Sequence, residues 1–318
     1  MVAALTAVLD EWKRDASLRL VLIDGGDSRV FCAGGDIRML HEMARTDGAR
    51  ARRFWTDEYR LVAQIARFPK PVVTSMSGIV MGGGVGLGAH ARHRVVSEST
   101  QLAMPEVGIG LMPDVGGTWL FSRAPGELGT YLALTGEAVG AGDAIALGFA
   151  DHFVTQSALG PLAAALMDET SDIDADVRAT IERFARAPGN AGLVDRRAMV
   201  DRTFAYDTVG EIARALAADG SEFARATERQ IGTRSPTSLT VTLRALRQAR
   251  ALDLEGCLQL EYRLMGHLVD RPDFAEGVRA AVIDKDRRPT WSPALLAAVP
   301  AAALDAYFTP LGAAELRL

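Results

Sequence analysis

Apolar residues Leu5, Val8, Leu9 and Trp12 recur at helical spacing, so the chain opens inside an amphipathic helix over residues 2–14. Residues 18–23 read as a short buried strand stopped by Asp24-Gly25-Gly26-Asp27, and 29–32 lead into the small-residue loop Ala33-Gly34-Gly35-Asp36. Residues 37–68 read as mostly helical, until Pro69-Lys70-Pro71 forbids continuation. The β-branched run at 72–76 predicts a second buried strand, the glycine-rich segment from Gly82 a short helix through about His93, and 94–97 a third strand. Strand, loop and helix alternate, which is the pattern of an α/β core. Residues 104–114 hold too many Gly and Pro to be one helix.

Beyond about residue 157 the strand signals fade. Helical periods follow over 174–187, 208–218, 222–231, 236–251 and 254–269, with Ser221, Ser235 and Asp253 as N-caps. This divides the chain into a core over 1–200 and a helical C-terminal domain over 201–318, with a soft boundary near 187–207. At 318 residues it is long enough for such an arrangement.

With 35 Lys+Arg against 40 Asp+Glu and a formal charge of -5, there is no basic field to attract nucleic acid or anionic lipid. No apolar run reaches the length of a membrane span, and the start lacks a basic-then-apolar leader, so the expected location is cytoplasmic. Cys32 and Cys257 lack metal-ligand spacing and read as free buried thiols.

Three segments can carry chemistry. The turn Ala33-Gly34-Gly35-Asp36 and the junction Gly82-Gly83-Gly84 expose backbone amides; two converging N–H groups would form an oxyanion hole, whereas the plainer reading is tight turns and close packing. Gly84-Val85-Gly86-Leu87-Gly88-Ala89 also fits a dinucleotide fingerprint, but its helix is short for that role. The third is Glu106 and Asp114, two carboxylates in an otherwise apolar, glycine-punctuated segment. Charge there points to acid, base or nucleophile work, unless Asp114 merely caps a helix starting near Val115 and Glu106 is exposed. His90 and His93 lack the intervening Glu of a zinc motif, and there is no Gly-x-Ser-x-Gly elbow.

Phe31-Cys32-Ala33-Gly34-Gly35-Asp36-Ile37, Met81-Gly82-Gly83-Gly84 and Met104-Pro105-Glu106 with Ile109-Gly110 together resemble the enoyl-CoA hydratase/isomerase (crotonase) superfamily in order and spacing. The resemblance implies an α/β fold with a crotonase-like ββα spiral core and a helical C-terminal region. It implies that the amides of Gly35 and Gly83 polarise an acyl-CoA thioester carbonyl. Hydratases of the superfamily carry an acid where this chain has Gly86. Gly86 combined with Glu106 and Asp114 resembles instead a branch that hydrolyses 3-hydroxyisobutyryl-CoA, as do Ser235-Pro236-Thr237-Ser238-Leu239, Glu261-Tyr262-Arg263-Leu264 and Phe274-Ala275-Glu276-Gly277.

On that resemblance Glu106 attacks the carbonyl carbon or deprotonates water, Asp114 orients the substrate hydroxyl or the water, and Glu58 contacts substrate unless it lies on a solvated helix face. The partner is an acyl-CoA, with CoA part of the substrate and no separate cofactor or metal; neither nucleic acid nor membrane is expected, and a homo-oligomer is possible. Lys285, Arg287 and Arg288 cluster as candidates for the CoA phosphates. The superfamily begins with a strand and turn ahead of its first helix, so a missing N-terminal segment is an expectation. The alternatives are a hydratase or isomerase with a shifted acid, and a non-catalytic acyl-CoA-binding relative.

Overall fold

A computed structural model describes residues 1–26, 29–167 and 173–318; the expected strand stop at Asp27 lies outside them. The chain forms two compact units, each assembled from separate stretches. The first comprises Met1–Gly34, Arg60–Ala103 and Ala138–Asp195, the second Gly35–Tyr59, Met104–Glu137 and Arg196–Leu318. The helical stretch expected from residue 201 onward thus belongs to a unit that also takes in two earlier segments.

In the first unit the strands are β1 (Val21–Asp24), β2 (Val30–Cys32), β3 (Val72–Met76), β4 (Ile79–Met81), β5 (His93–Val96), β6 (Gln101–Ala103) and β7 (His152–Phe153). They build two parallel sheets, ordered β1-β3-β5-β7 and β2-β4-β6. Successive strands alternate between the sheets, so each pass of the chain adds one strand to each before a helical return. That is the expected ββα spiral. Parallel strands covered on both faces need near-continuous apolar sequence, and Val72-Val73-Thr74 is buried throughout. Because neighbouring residues in a strand face opposite ways, Val72 packs with Leu9, Leu61 and Ile65, while Val73 packs with Val95, Leu162 and Ile181.

Three expectations are corrected and two strands are added. The opening strand begins at Val21 rather than Leu18. The helix after Gly82 spans only Gly83–Gly88, since three of its six residues are low-propensity glycines beyond the first, and His93 pairs with Val73 in β5. The helix over 37–68 is two, Ile37–Thr46 and Gly48–Ala66, parted at Asp47, whose carboxylate accepts the N–H groups of Ala49 and Arg50. Strands β4 and β6, three residues each, are too short to show a period.

The second unit is helical. Helices Val209–Asp219, Glu222–Ile231, Pro236–Ala249 and Leu254–Leu268 start on Thr208, Ser221, Ser235 and Asp253, each of which accepts a first-turn amide through its side chain. Among the described residues no helix is long and apolar enough to cross a membrane.

Candidate active site

In the first unit the loop after β2 runs against the start of helix Gly83–Gly88. Gly34 adopts φ +95°, and a side chain there would meet the Met81 carbonyl oxygen at 3.1 Å and the Gly83 nitrogen at 3.6 Å. Gly84 is closer still: a Cβ would lie 2.2 Å from the Cys32 carbonyl oxygen. Glycine is required here because backbone touches backbone. Gly83 opens the helix, so its N–H has no helical carbonyl behind it. In the second unit Gly35 precedes Asp36, whose carboxylate accepts the Met39 N–H at 3.0 Å and caps helix Ile37–Thr46.

The second unit gathers Glu58, Glu106 and Asp114, all buried. Glu106 begins a single 3-10 turn, Glu106–Gly108, and its carbonyl accepts the amides of Ile109 and Leu111. Its Oε2 is buried and has no hydrogen-bond partner. Burial pushes the Glu106 carboxyl well above the usual carboxylate range, and the negative charge of Asp114 pushes the same way, followed by Glu58 and Glu261. Glu106 is therefore not the exposed residue of the plainer reading.

Asp114 accepts the Tyr59 hydroxyl on Oδ2 at 2.7 Å. Burial raises its carboxyl to about 6, restrained by the Tyr59 hydroxyl and by its own backbone amide. The capping role fails: the helix begins at Gly117, not near Val115, with Gly116 as cap. Glu58, next to Tyr59 on helix Gly48–Ala66, is not on a solvated face; burial, then the charge of Asp114, lifts it to about 8. Burial likewise keeps the Tyr59 phenol protonated, so it remains a donor.

A fourth carboxyl, Glu261 on helix Leu254–Leu268, has no exposed surface. Its Oε2 accepts the Gly116 N–H at 2.7 Å, and its Oε1 accepts the Thr118 N–H at 2.8 Å and hydroxyl at 2.6 Å. Burial raises it to about 8 against these three donors. Sequence reasoning assigned no role to Tyr59 or Glu261. Tyr59 reads as one more aromatic on an apolar helix face. Glu261 did leave a signal, a charge on the stripe Cys257, Leu264 and Leu268.

His90 and His93 are buried, and no group of three or more His, Cys, Asp or Glu among the described residues could hold a metal ion. Neither cysteine is in a disulfide; Cys257 is buried, but Cys32 is only half-buried. Lys285, Arg287 and Arg288 are exposed, next to Asp284 and Asp286, which pair with Arg279.

The family model described as enoyl-CoA hydratase/isomerase matches residues 1–308. The chain is 37% identical over 323 residues to the 3-hydroxyisobutyryl-CoA hydrolase, mitochondrial, of Danio rerio, an alignment covering 100% of this chain and 85% of that protein. Among solved structures it is similar to a carnitinyl-CoA dehydratase from Mycobacterium thermoresistibile, at 45% identity and TM-score 0.93 over 99% of this chain and 90% of that one. An enoyl-CoA hydratase from Rhodobacter sphaeroides 2.4.1 follows at 41% and 0.92, over 100% and 92%. The expected cytoplasmic location finds no support in the relative's name.

Proposed function

The chain belongs to the enoyl-CoA hydratase/isomerase family, and we propose that it hydrolyses the thioester of 3-hydroxyisobutyryl-CoA, a short 3-hydroxyacyl-CoA, to the free acid and CoA. The observation that carries this reading is Glu106 Oε2, a buried carboxylate oxygen without a partner beside a second carboxylate, Asp114, that has one. An acceptor left unpaired in an apolar site is raised in energy and basicity, and bond formation or proton uptake relieves it.

By resemblance to the family, the amides of Gly35 and Gly83 are the candidates to polarise the carbonyl oxygen as it gains negative charge. The ionised form of Glu106, made more basic by its burial, either forms a C–O bond to the carbonyl carbon, expelling CoA as the C–S bond breaks and leaving an anhydride that water cleaves, or takes a proton from the water that attacks. Asp114, ionised near neutral pH, accepts a hydrogen bond from the substrate hydroxyl. Glu58, protonated at that pH, donates one. Lys285, Arg287 and Arg288 are candidates for the CoA phosphates, and no separate cofactor is called for.

The names of the two solved structures raise lyase chemistry as a second reading. Against it stands Gly86, buried inside helix Gly83–Gly88, where hydratases of the family carry an acid. The two are separated by incubating the protein with 3-hydroxyisobutyryl-CoA and crotonyl-CoA, following free thiol and enoyl absorbance in parallel. Thiol release from the first substrate without absorbance change on the second is expected; loss of enoyl absorbance without thiol would make the protein a hydratase. Binding of both with neither signal would make it a non-catalytic relative.

A further inference from the structure

Asp114 leads into its helix through a strained turn. Val115 has φ +51°, a left-handed conformation that a β-branched residue seldom adopts, and Gly116 follows at φ +82°. Glycine at 116 suits its position; valine at 115 does not, so something outside the turn must hold it. The Asp114 carbonyl is tied forward to the Gly117 N–H at 2.7 Å, and Glu261 takes the amides of Gly116 and Thr118 on its two oxygens. A wholly buried carboxylate with three donors is a rigid clamp, fixed by its own helix.

We infer that Glu261 is a positioning residue that holds the turn Val115-Gly116 in its strained conformation and thereby aims the Asp114 carboxylate. The link to catalysis rests on the proposed role of Asp114; the clamp itself rests on the geometry of residues 114–118 and 261 alone. Glu261 touches no substrate in this account. Its effect passes through the backbone that carries Asp114.

The test pairs Glu261→Gln with Val115→Gly, singly and together, in the full chain. Glutamine keeps one acceptor and turns an NH₂ toward the other amide. Misaiming Asp114 by a fraction of an ångström lowers kcat by about ten- to a hundredfold with KM changed much less. Amide exchange at Gly116 and Thr118 speeds up in parallel. Glycine at 115 adopts the left-handed conformation without help, so the double variant regains most of the lost kcat. A merely structural glutamate would lower the melting temperature and leave kcat per folded molecule intact, which overturns the inference. So does a double variant no better than Glu261→Gln alone. Should Glu261→Gln fail to fold, Thr118→Val removes one of the three donated bonds at equal volume; a several-fold loss of kcat restored by Val115→Gly is expected, and an unchanged kcat refutes the clamp. If the parent releases no thiol, the proposed function fails, while the exchange rates still decide whether Glu261 holds the turn.

Discussion

Replacing Tyr59 with Phe removes one oxygen atom and with it the 2.7 Å bond to Asp114 Oδ2. A hydrogen bond to a charged group contributes about 1.5–3 kcal/mol. At 1.36 kcal/mol for each pKa unit, Asp114 would move up by about one to two units. It starts at about 6, raised by burial and held down by the Tyr59 hydroxyl and its own backbone amide. Activity needs Asp114 and Glu106 ionised and Glu58 protonated, so kcat/KM for thiol release carries a rising limb near pH 6 from Asp114 and a falling limb near pH 8 from Glu58, on top of the ionisation of Glu106. In Tyr59→Phe the rising limb shifts alkaline by about one to two units while the falling limb stays, narrowing the profile from its acid side. The assay is free-thiol detection from pH 5 to pH 9 at substrate well below KM, with melting temperatures to confirm folding. A rising limb that does not move, or two limbs that move together, would refute the assignment of that limb to Asp114 and of its restraint to Tyr59.

The Glu58 carboxyl lies at about 8 in the folded chain against 4.5 for the free side chain, so the stability it contributes is present below about pH 4.5 and lost as pH rises through 8. Glu58→Gln should therefore raise the urea midpoint relative to the parent at pH 9 and change it little at pH 4, while reducing turnover; a lower midpoint at pH 9 contradicts the burial argument. Gly84→Ala forces a Cβ to within 2.2 Å of the Cys32 carbonyl and should cost about 1–3 kcal/mol in urea unfolding, with an unaffected midpoint showing that the loop does not press on this helix. A single turnover in heavy-oxygen water separates the two roles of Glu106: label found in the enzyme's own glutamate marks the anhydride, and label confined to the released acid marks water activation.

Much of the fold was legible because its signals are local. The apolar run at β1, the valine pairs at β3 and β5, the proline pair after residue 68 and the hydroxyl or carboxylate caps at 221, 235 and 253 act within a turn of where they stand. β4 and β6 escaped notice because three residues carry no period, and their pairing partners are distant in sequence. Of the site, Glu106 and Asp114 stood out as charge in apolar surroundings. What the sequence did not reveal is what holds them: the hydroxyl of Tyr59 lies 55 residues from Asp114, and Glu261 lies 145 from Gly116. Separations of that size leave no periodic trace, and only the misplaced charge on an apolar helix stripe pointed to Glu261.

Whether the unpaired oxygen of Glu106 drives cleavage of the C–S bond is decided by Glu106→Gln, assayed at equal folded concentration with 3-hydroxyisobutyryl-CoA. Thiol release slows by about 10²–10⁴-fold, with a melting temperature equal to or above the parent's because the amide brings no charge into a site whose burial disfavours one. Release at the parental rate would contradict that role for Glu106.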